Sequence, residues 1–159
     1  DGAKLGVRIQ YSDEGDYALE TGGGICKALP LLGDDPFIVV SGDIWCPYPF
    51  ADLRTRLGER DVAHFVLVPN PSFHTKGDFG LQADRVTNAA DERYTYANIG
   101  VFRPAFFEGC RAQRFPLVPI MRQRIDEGRV SGELYEGSWR NIGTPVQLAE
   151  LDRELLGRS

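Results

Sequence analysis

Pro36-Phe37-Ile38-Val39-Val40-Ser41-Gly42-Asp43 reads as a short strand that ends on a carboxylate. Four apolar residues in a row, two of them β-branched valines, show no polar alternation. They predict a strand buried on both faces, as in the sheet of an α/β layered protein. In open α/β sheets ligands bind beyond the carboxyl ends of the strands. An Asp held at that point is a hard oxygen ligand suited to Mg²⁺ that carries a substrate phosphate. The same Asp can instead close a turn through its own backbone.

On the N-terminal side, Leu5, Val7, Ile9 and Tyr11 alternate with Gly6, Arg8 and Gln10, which predicts a half-buried strand. Thr21 then caps a helix limited by Pro30 and Gly33. On the C-terminal side, Phe50, Leu53 and Leu57 have helical spacing, and residues 63–68 form the next strand. This β-α-β-α-β succession marks an α/β domain with a mixed, mostly parallel central sheet. Short strands at 81–83, 94–96 and 99–102 predict a second, small antiparallel sheet. A helix follows over 115–127, stopped by Gly128, then strands at 130–135 and 139–142. The last helix is capped by Thr144, takes Pro145 in its first turn and completes a capping box with Gln147. Its buried stripe is Leu148, Leu151 and Leu155.

The 159 residues suit one domain, and 42% apolar with 26% charged residues is ordinary globular composition. The net charge is -5, and Lys and Arg are scattered, which argues against a nucleic-acid partner. No apolar run approaches the roughly 20 residues of a membrane helix. Three widely spaced Cys and the lack of a signal-peptide pattern indicate reduced thiols and a cytoplasmic protein. The chain opens Asp1-Gly2-Ala3-Lys4 without an initiator Met, as a piece of a longer chain would. There is no Gly-x-Ser-x-Gly elbow and no Gly-x-Gly-x-x-Gly fingerprint after a strand. His64 reads as a hydrogen-bonded histidine of an apolar strand, and His74 as a solvated loop residue.

Three more stretches carry candidate chemistry. Leu19-Glu20-Thr21-Gly22-Gly23-Gly24-Ile25 puts three glycines at a helix start, where backbone amides can face a ligand, or where the chain simply turns. Lys76-Gly77-Asp78-Phe79-Gly80 can clamp a polar ligand or connect a hairpin. Trp139-Arg140-Asn141-Ile142-Gly143-Thr144-Pro145 places Asn141 at a strand end, as Asp43 is.

These stretches, with Asn98-Ile99-Gly100-Val101 and Ser131-Gly132-Glu133-Leu134-Tyr135, occur in an order that resembles the sugar-1-phosphate nucleotidyltransferases, specifically their muramate branch. The resemblance covers nearly the whole chain. It implies a Rossmann-like, GT-A-like layered fold, of which residues 1–159 are the C-terminal part of one domain, without the first strand. It implies transfer of a uridylyl group from UTP to a sugar 1-phosphate, N-acetylmuramate 1-phosphate in cell-wall recycling, with release of pyrophosphate. In that pattern Thr21, Gly22 and Gly23 match the loop that reads the nucleobase, and Ser41 lies near the nucleotide. Asp43 matches the Mg²⁺-binding aspartate, and Asn141 stands where a second metal-binding Asp is usual. Lys76, Asp78 and Gly80 match the loop around the sugar, and Asn98 and Gly100 the strand lining its pocket.

Two features depart from the family pattern. Its N-terminal Gly-rich loop with an Arg, and the following Lys, which hold the triphosphate, have no counterpart here. Asn141 can offer a carbonyl oxygen but no charge, which weakens metal binding. Two further readings follow from these departures: a non-catalytic module that binds a nucleotide-sugar, and a metal-dependent GT-A glycosyltransferase. The latter usually needs Asp-x-Asp, whereas Ile44 and Trp45 follow Asp43. Loss of the first strand also implies partnership with an N-terminal segment, or self-association.

Overall fold

A computed structural model describes residues 2–157. Strands β1 (Phe37–Val40), β3 (Ala63–Val68), β4 (Gly80–Gln82), β5 (Arg85–Thr87), β6 (Thr95–Phe102) and β7 (Val130–Leu134) form one six-stranded sheet in the order β1-β6-β3-β7-β5-β4. Strands β2 (Ile44–Trp45) and β8 (Arg140–Asn141) form a separate antiparallel pair. Helices α1 (Glu20–Leu32), α2 (Phe50–Leu53), α3 (Val118–Asp126) and α4 (Pro145–Leu156) complete the α/β arrangement.

The sheet is mixed but mostly antiparallel, which corrects the expectation of a mostly parallel one. Among the described strands only β3 and β7 pair in parallel. Strands β1 and β3 do run the same way, as the β-α-β pattern implies, but β6 lies between them and opposes both. The strands expected in a small separate sheet join the main one. Periodicity identifies a strand but not its neighbours, and β6 returns through the β4–β5 hairpin into the centre.

Residues 5–11 form no strand. Leu5, Val7, Ile9 and Tyr11 are 41–79% exposed, and no described strand pairs with them. Alternation yields a strand only where a ladder partner is at hand. Helix α1 begins at Glu20, so Thr21 lies inside it and does not cap it, and the helix runs past Pro30 to Leu32 before Gly33 ends it. The Thr144–Gln147 capping box is present, but Leu151 alone of the expected α4 stripe is fully buried, with Leu148 exposed.

Strand β3 is buried along its whole length because its two faces meet two cores. Phe65 and Leu67 pack with Phe79, Phe102, Phe106 and Met121 on one side. Val66 and Val68 pack with Leu53, Ile99 and Val101 on the other. Phe65 touches four aromatic rings at centroid separations of 5.2–6.4 Å.

His64, on β3, bonds Ser131 Oγ through Nδ1 at 3.0 Å, as expected of a strand histidine. Burial pushes its pKa down, against the opposing pull of the Glu133 carboxylate. The folded ring therefore resists protonation, while the unfolded one gains a proton near pH 6.5. The unfolded state binds more protons as pH falls below that value, so stability is lost toward acid pH until the lowered native pKa is reached. Urea unfolding of the protein and of His64→Gln at pH 7.5 and 5.5 checks this. The parent is expected to lose about 1 kcal/mol more than the variant over that interval, and equal losses would show that His64 does not contribute.

Candidate active site

The end of β1 builds the first half of the site. Ser41 N–H donates to the Asn98 carbonyl at 3.1 Å, and Ile44 N–H donates back to the Ser41 carbonyl at 3.3 Å. That tight turn projects Asp43 outward, where it is exposed. Pairing of β2 with β8 sets Ile44 opposite Asn141, and Ile142 N–H donates to the Asp43 carbonyl at 2.7 Å. Asp43 and Asn141, 98 residues apart in sequence, thereby become neighbours: Asn141 Nδ2 donates to Asp43 Oδ2 at 3.1 Å. Asn141 Oδ1 accepts from Gly143 N–H at 3.2 Å.

Strand β6 builds the second half. Its register with β3 slips between Ile99 and Tyr96, so Ala97 and Asn98 form a bulge, with Asn98 in the left-handed region at φ 56°. Two cavities meet there. One, of about 270 Å³, includes His74, Asp78, Asn98, Trp139 and Asn141 in its wall. The other, of about 360 Å³, includes Thr21, Pro116 and Leu117. Both are walled by Tyr96, Asn98, Val118 and Met121, so they form one groove from the start of α1 to Asn141. Trp139 is fixed by a bond from Nε1 to the Ala97 carbonyl at 2.9 Å. Burial holds the Tyr96 phenol well above its ordinary pKa, so it remains a neutral hydroxyl.

Thr21, Asp78, Asn98 and Asn141 thus wall one groove, with Asp43 bonded at its edge. The remaining expected residues stand elsewhere. Lys76 lines a separate, larger cleft of about 750 Å³ with Asn70 and Arg93. Ser41 is not among the residues lining the groove. Gly80 sits where a Cβ would strike the Ala90 methyl, and Gly100 where one would press on the His64 carbonyl and the Tyr96 hydroxyl. Close packing accounts for both. Gly22 and Gly23 are buried beneath the 109–115 loop, where a Cβ would meet the Phe115 ring and the Gln113 carbonyl, respectively. The Gly23 amide is already engaged with the Phe115 carbonyl at 3.3 Å.

Sequence reasoning missed His74, Tyr96 and Trp139. His74 is not a free loop residue: its Nε2 lies 3.0 Å from Asp78 Oδ1. The i,i+4 spacing to Asp78 was the one available signal.

The donor set fits a cation that arrives with phosphates. Asp43 gives one anionic oxygen, and Asn141 gives a neutral carbonyl once its amide turns from Gly143. Among the described residues no three His, Cys, Asp or Glu side chains gather as a metal cluster. Mg²⁺ commonly takes one or two carboxylates and completes its shell with water and substrate phosphate. Among the described residues no Lys or Arg lines the groove.

A groove at the carboxyl end of β1, with Asp43 at its edge and Glu20, Asp78 and neutral hydrogen-bonding groups along its wall, lies where open α/β sheets take their ligands. The chain belongs to the sugar-1-phosphate nucleotidyltransferase family. It is 39% identical over 157 residues to the N-acetylmuramate alpha-1-phosphate uridylyltransferase of Neisseria meningitidis serogroup B, covering 94% of this chain and 68% of the relative. The protein of that name from Caulobacter vibrioides is 34% identical over 153 residues, covering 89% of this chain and 63% of the relative. The chain therefore spans about two thirds of these relatives' length. No family model matches the sequence. Among solved structures, a Bacillus anthracis protein described as a glucose-1-phosphate thymidylyltransferase superposes with a TM-score of 0.72 at 17% identity, over 96% of this chain and 67% of the other. An apo UDP-glucose pyrophosphorylase gives 0.64 at 13% identity, over 87% and 60%. These two likenesses concern the fold alone.

Proposed function

We propose that the protein transfers a uridylyl group from UTP to N-acetylmuramate 1-phosphate, as a Mg²⁺-dependent cytoplasmic enzyme of cell-wall recycling. The observation that carries this reading is the 39% identity to the Neisseria relative of that name. The continuous groove from Thr21 to Asn141 supports it. A phosphate oxygen of the sugar 1-phosphate attacks the α-phosphorus of UTP. A new P–O bond forms, the bond to the β-phosphate oxygen breaks, and pyrophosphate leaves. The nucleophile is already anionic at neutral pH, so no side chain need take its proton. Positioning and charge neutralisation then carry the reaction.

In this scheme the Thr21 end of the groove receives the uracil. Asn98 offers hydrogen bonds to the sugar, and the Tyr96 ring lines the groove beside it. Asp43 and Asn141 would hold Mg²⁺, which neutralises charge on the reacting phosphates when bound. With no Lys or Arg along the described groove, the triphosphate depends on groups outside it.

One observation favours a second reading, a module that binds a nucleotide-sugar without turnover. The junction pairs one carboxylate, Asp43, with a neutral neighbour, Asn141, which is little anionic charge for a divalent cation. An assay of the whole protein with UTP, N-acetylmuramate 1-phosphate and Mg²⁺ separates the two. Stoichiometric UDP-sugar and pyrophosphate are expected. Calorimetric binding of the UDP-sugar with no pyrophosphate formed would instead establish the module.

A further inference from the structure

The cavity beside the β6 bulge has one acidic side chain and one able to become cationic, Asp78 and His74, among its described lining residues. Both oxygens of Asp78 are engaged. Oδ2 accepts Tyr96 N–H at 2.9 Å, and Oδ1 faces His74 Nε2 at 3.0 Å. Asp78 is therefore a brace, tying the 70–78 loop to β6 and fixing the His74 ring. A carboxylate only accepts, so Nε2 carries the proton and Nδ1 is the edge left for a ligand. Next to it, Phe73 also lines the cavity and is 68% exposed. Lys76, two residues on, faces the separate cleft and brings no charge here.

An imidazole beside an exposed phenyl ring matches a particular sugar substituent. N-Acetylmuramate differs from N-acetylglucosamine by a lactyl ether, which carries one carboxylate and one methyl group. We propose that the Phe73–His74 tip selects sugar 1-phosphates bearing this acidic ether. On binding, the ring takes a proton from solvent as it comes to lie between two carboxylates, so that Nε2–H donates to Asp78 and Nδ1–H to the lactyl carboxylate, while Phe73 covers the methyl. The inference rests on the reading of this cavity as the sugar site. It assigns specificity to a residue pair that takes no part in the transfer itself. A bare loop histidine would be a weak selector, because its ring turns freely. The Asp78 brace removes that freedom before the sugar arrives.

The test measures kcat/KM of the whole protein for N-acetylmuramate 1-phosphate and for N-acetylglucosamine 1-phosphate, each with UTP. The parent is expected to favour the muramate substrate. In His74→Gln the side-chain amide can still donate to Asp78, so the brace survives while the charge is lost. The ratio of the two kcat/KM values is expected to fall about tenfold, the scale of one charge-assisted hydrogen bond, chiefly through KM for the muramate substrate. Phe73→Ala leaves the His74–Asp78 pair untouched and is expected to lower the ratio about threefold. Equal losses on both sugars, or an unchanged ratio in both variants, would overturn the assignment and leave the uridylyltransferase reading standing. A parent that turns over both sugars equally would also overturn it. A parent that turns over neither would refute the uridylyltransferase reading and this inference together.

Discussion

Asp43→Ala is expected to lower turnover by the whole protein about 10²- to 10³-fold, the usual cost of removing one preorganised electrostatic group from a site of developing charge. Asp43 is the carboxylate bonded to Asn141, which is itself neutral, while Glu154, the other carboxylate at the β2–β8 junction, pairs with Arg140. Without it, a cation at that point would rest on an amide carbonyl and the substrate phosphates alone. The fold should not register the change. The Asp43 side chain is exposed and makes a single bond, to Asn141, while the turn is held by the Ser41, Ile44 and Ile142 backbones. Steady-state kinetics across a Mg²⁺ titration, beside a thermal melt, separates the two effects. An unchanged melt with the Mg²⁺ response gone is the expected pair. Turnover within threefold of the parent would place the cation elsewhere.

Gly23→Ala is expected to destabilise the protein by about 3 kcal/mol, at the upper end of the usual overpacking range. The added methyl would run into the Gln113 carbonyl, which is backbone and cannot swing aside. Helix and loop cannot simply separate either. Gly23 N–H bonds the Phe115 carbonyl, and Phe115 N–H bonds the Leu19 carbonyl at 3.1 Å. Gly24→Ala is the control. Its nearest obstacle is the far end of the Glu14 side chain, which can shift at the expense of its bond from Leu19 N–H, so the change should cost no more than about 1 kcal/mol. Chemical denaturation of the two variants decides what the Gly-Gly-Gly run is for. A Gly23→Ala protein of parental stability that no longer binds nucleotide would return the run to a ligand role.

That contrast marks where sequence reasoning reaches its limit. A glycine run looks the same whether it admits a ligand or a neighbouring loop, and the 109–115 loop that decides the matter lies some 90 residues away. The place of Asp43 was legible because an apolar run ends at once in Gly-Asp, although β1 is an edge strand with Val40 exposed rather than one buried on both faces. The strand-end position of Asn141 was legible from the capping box just beyond it. Lys76 and Asp78 could not be separated, because a two-residue interval in a loop does not reveal which side chain faces which cleft. The direction of the central sheet was hidden for a similar reason: Thr95–Phe102 reads as two short strands in sequence, and its insertion between β1 and β3 depends on long-range pairing. His74 was passed over because a histidine in a polar loop shows its partner only once the loop has folded back.

Strand β6 has partners on both sides only as far as Ile99. Beyond that residue β1 has ended, and the strand runs on through the bulge to Thr95 with β3 alone beside it. The groove occupies the space where β1 would have continued. Its floor is therefore set by strand length, and its walls by the 70–78 and 109–117 segments and the β2–β8 pair. Those walls can change size and chemistry without moving a single ladder bond of the core. A fold of this kind acquires a new sugar by editing its rim, while the β3–β6–β7 centre stays as it is.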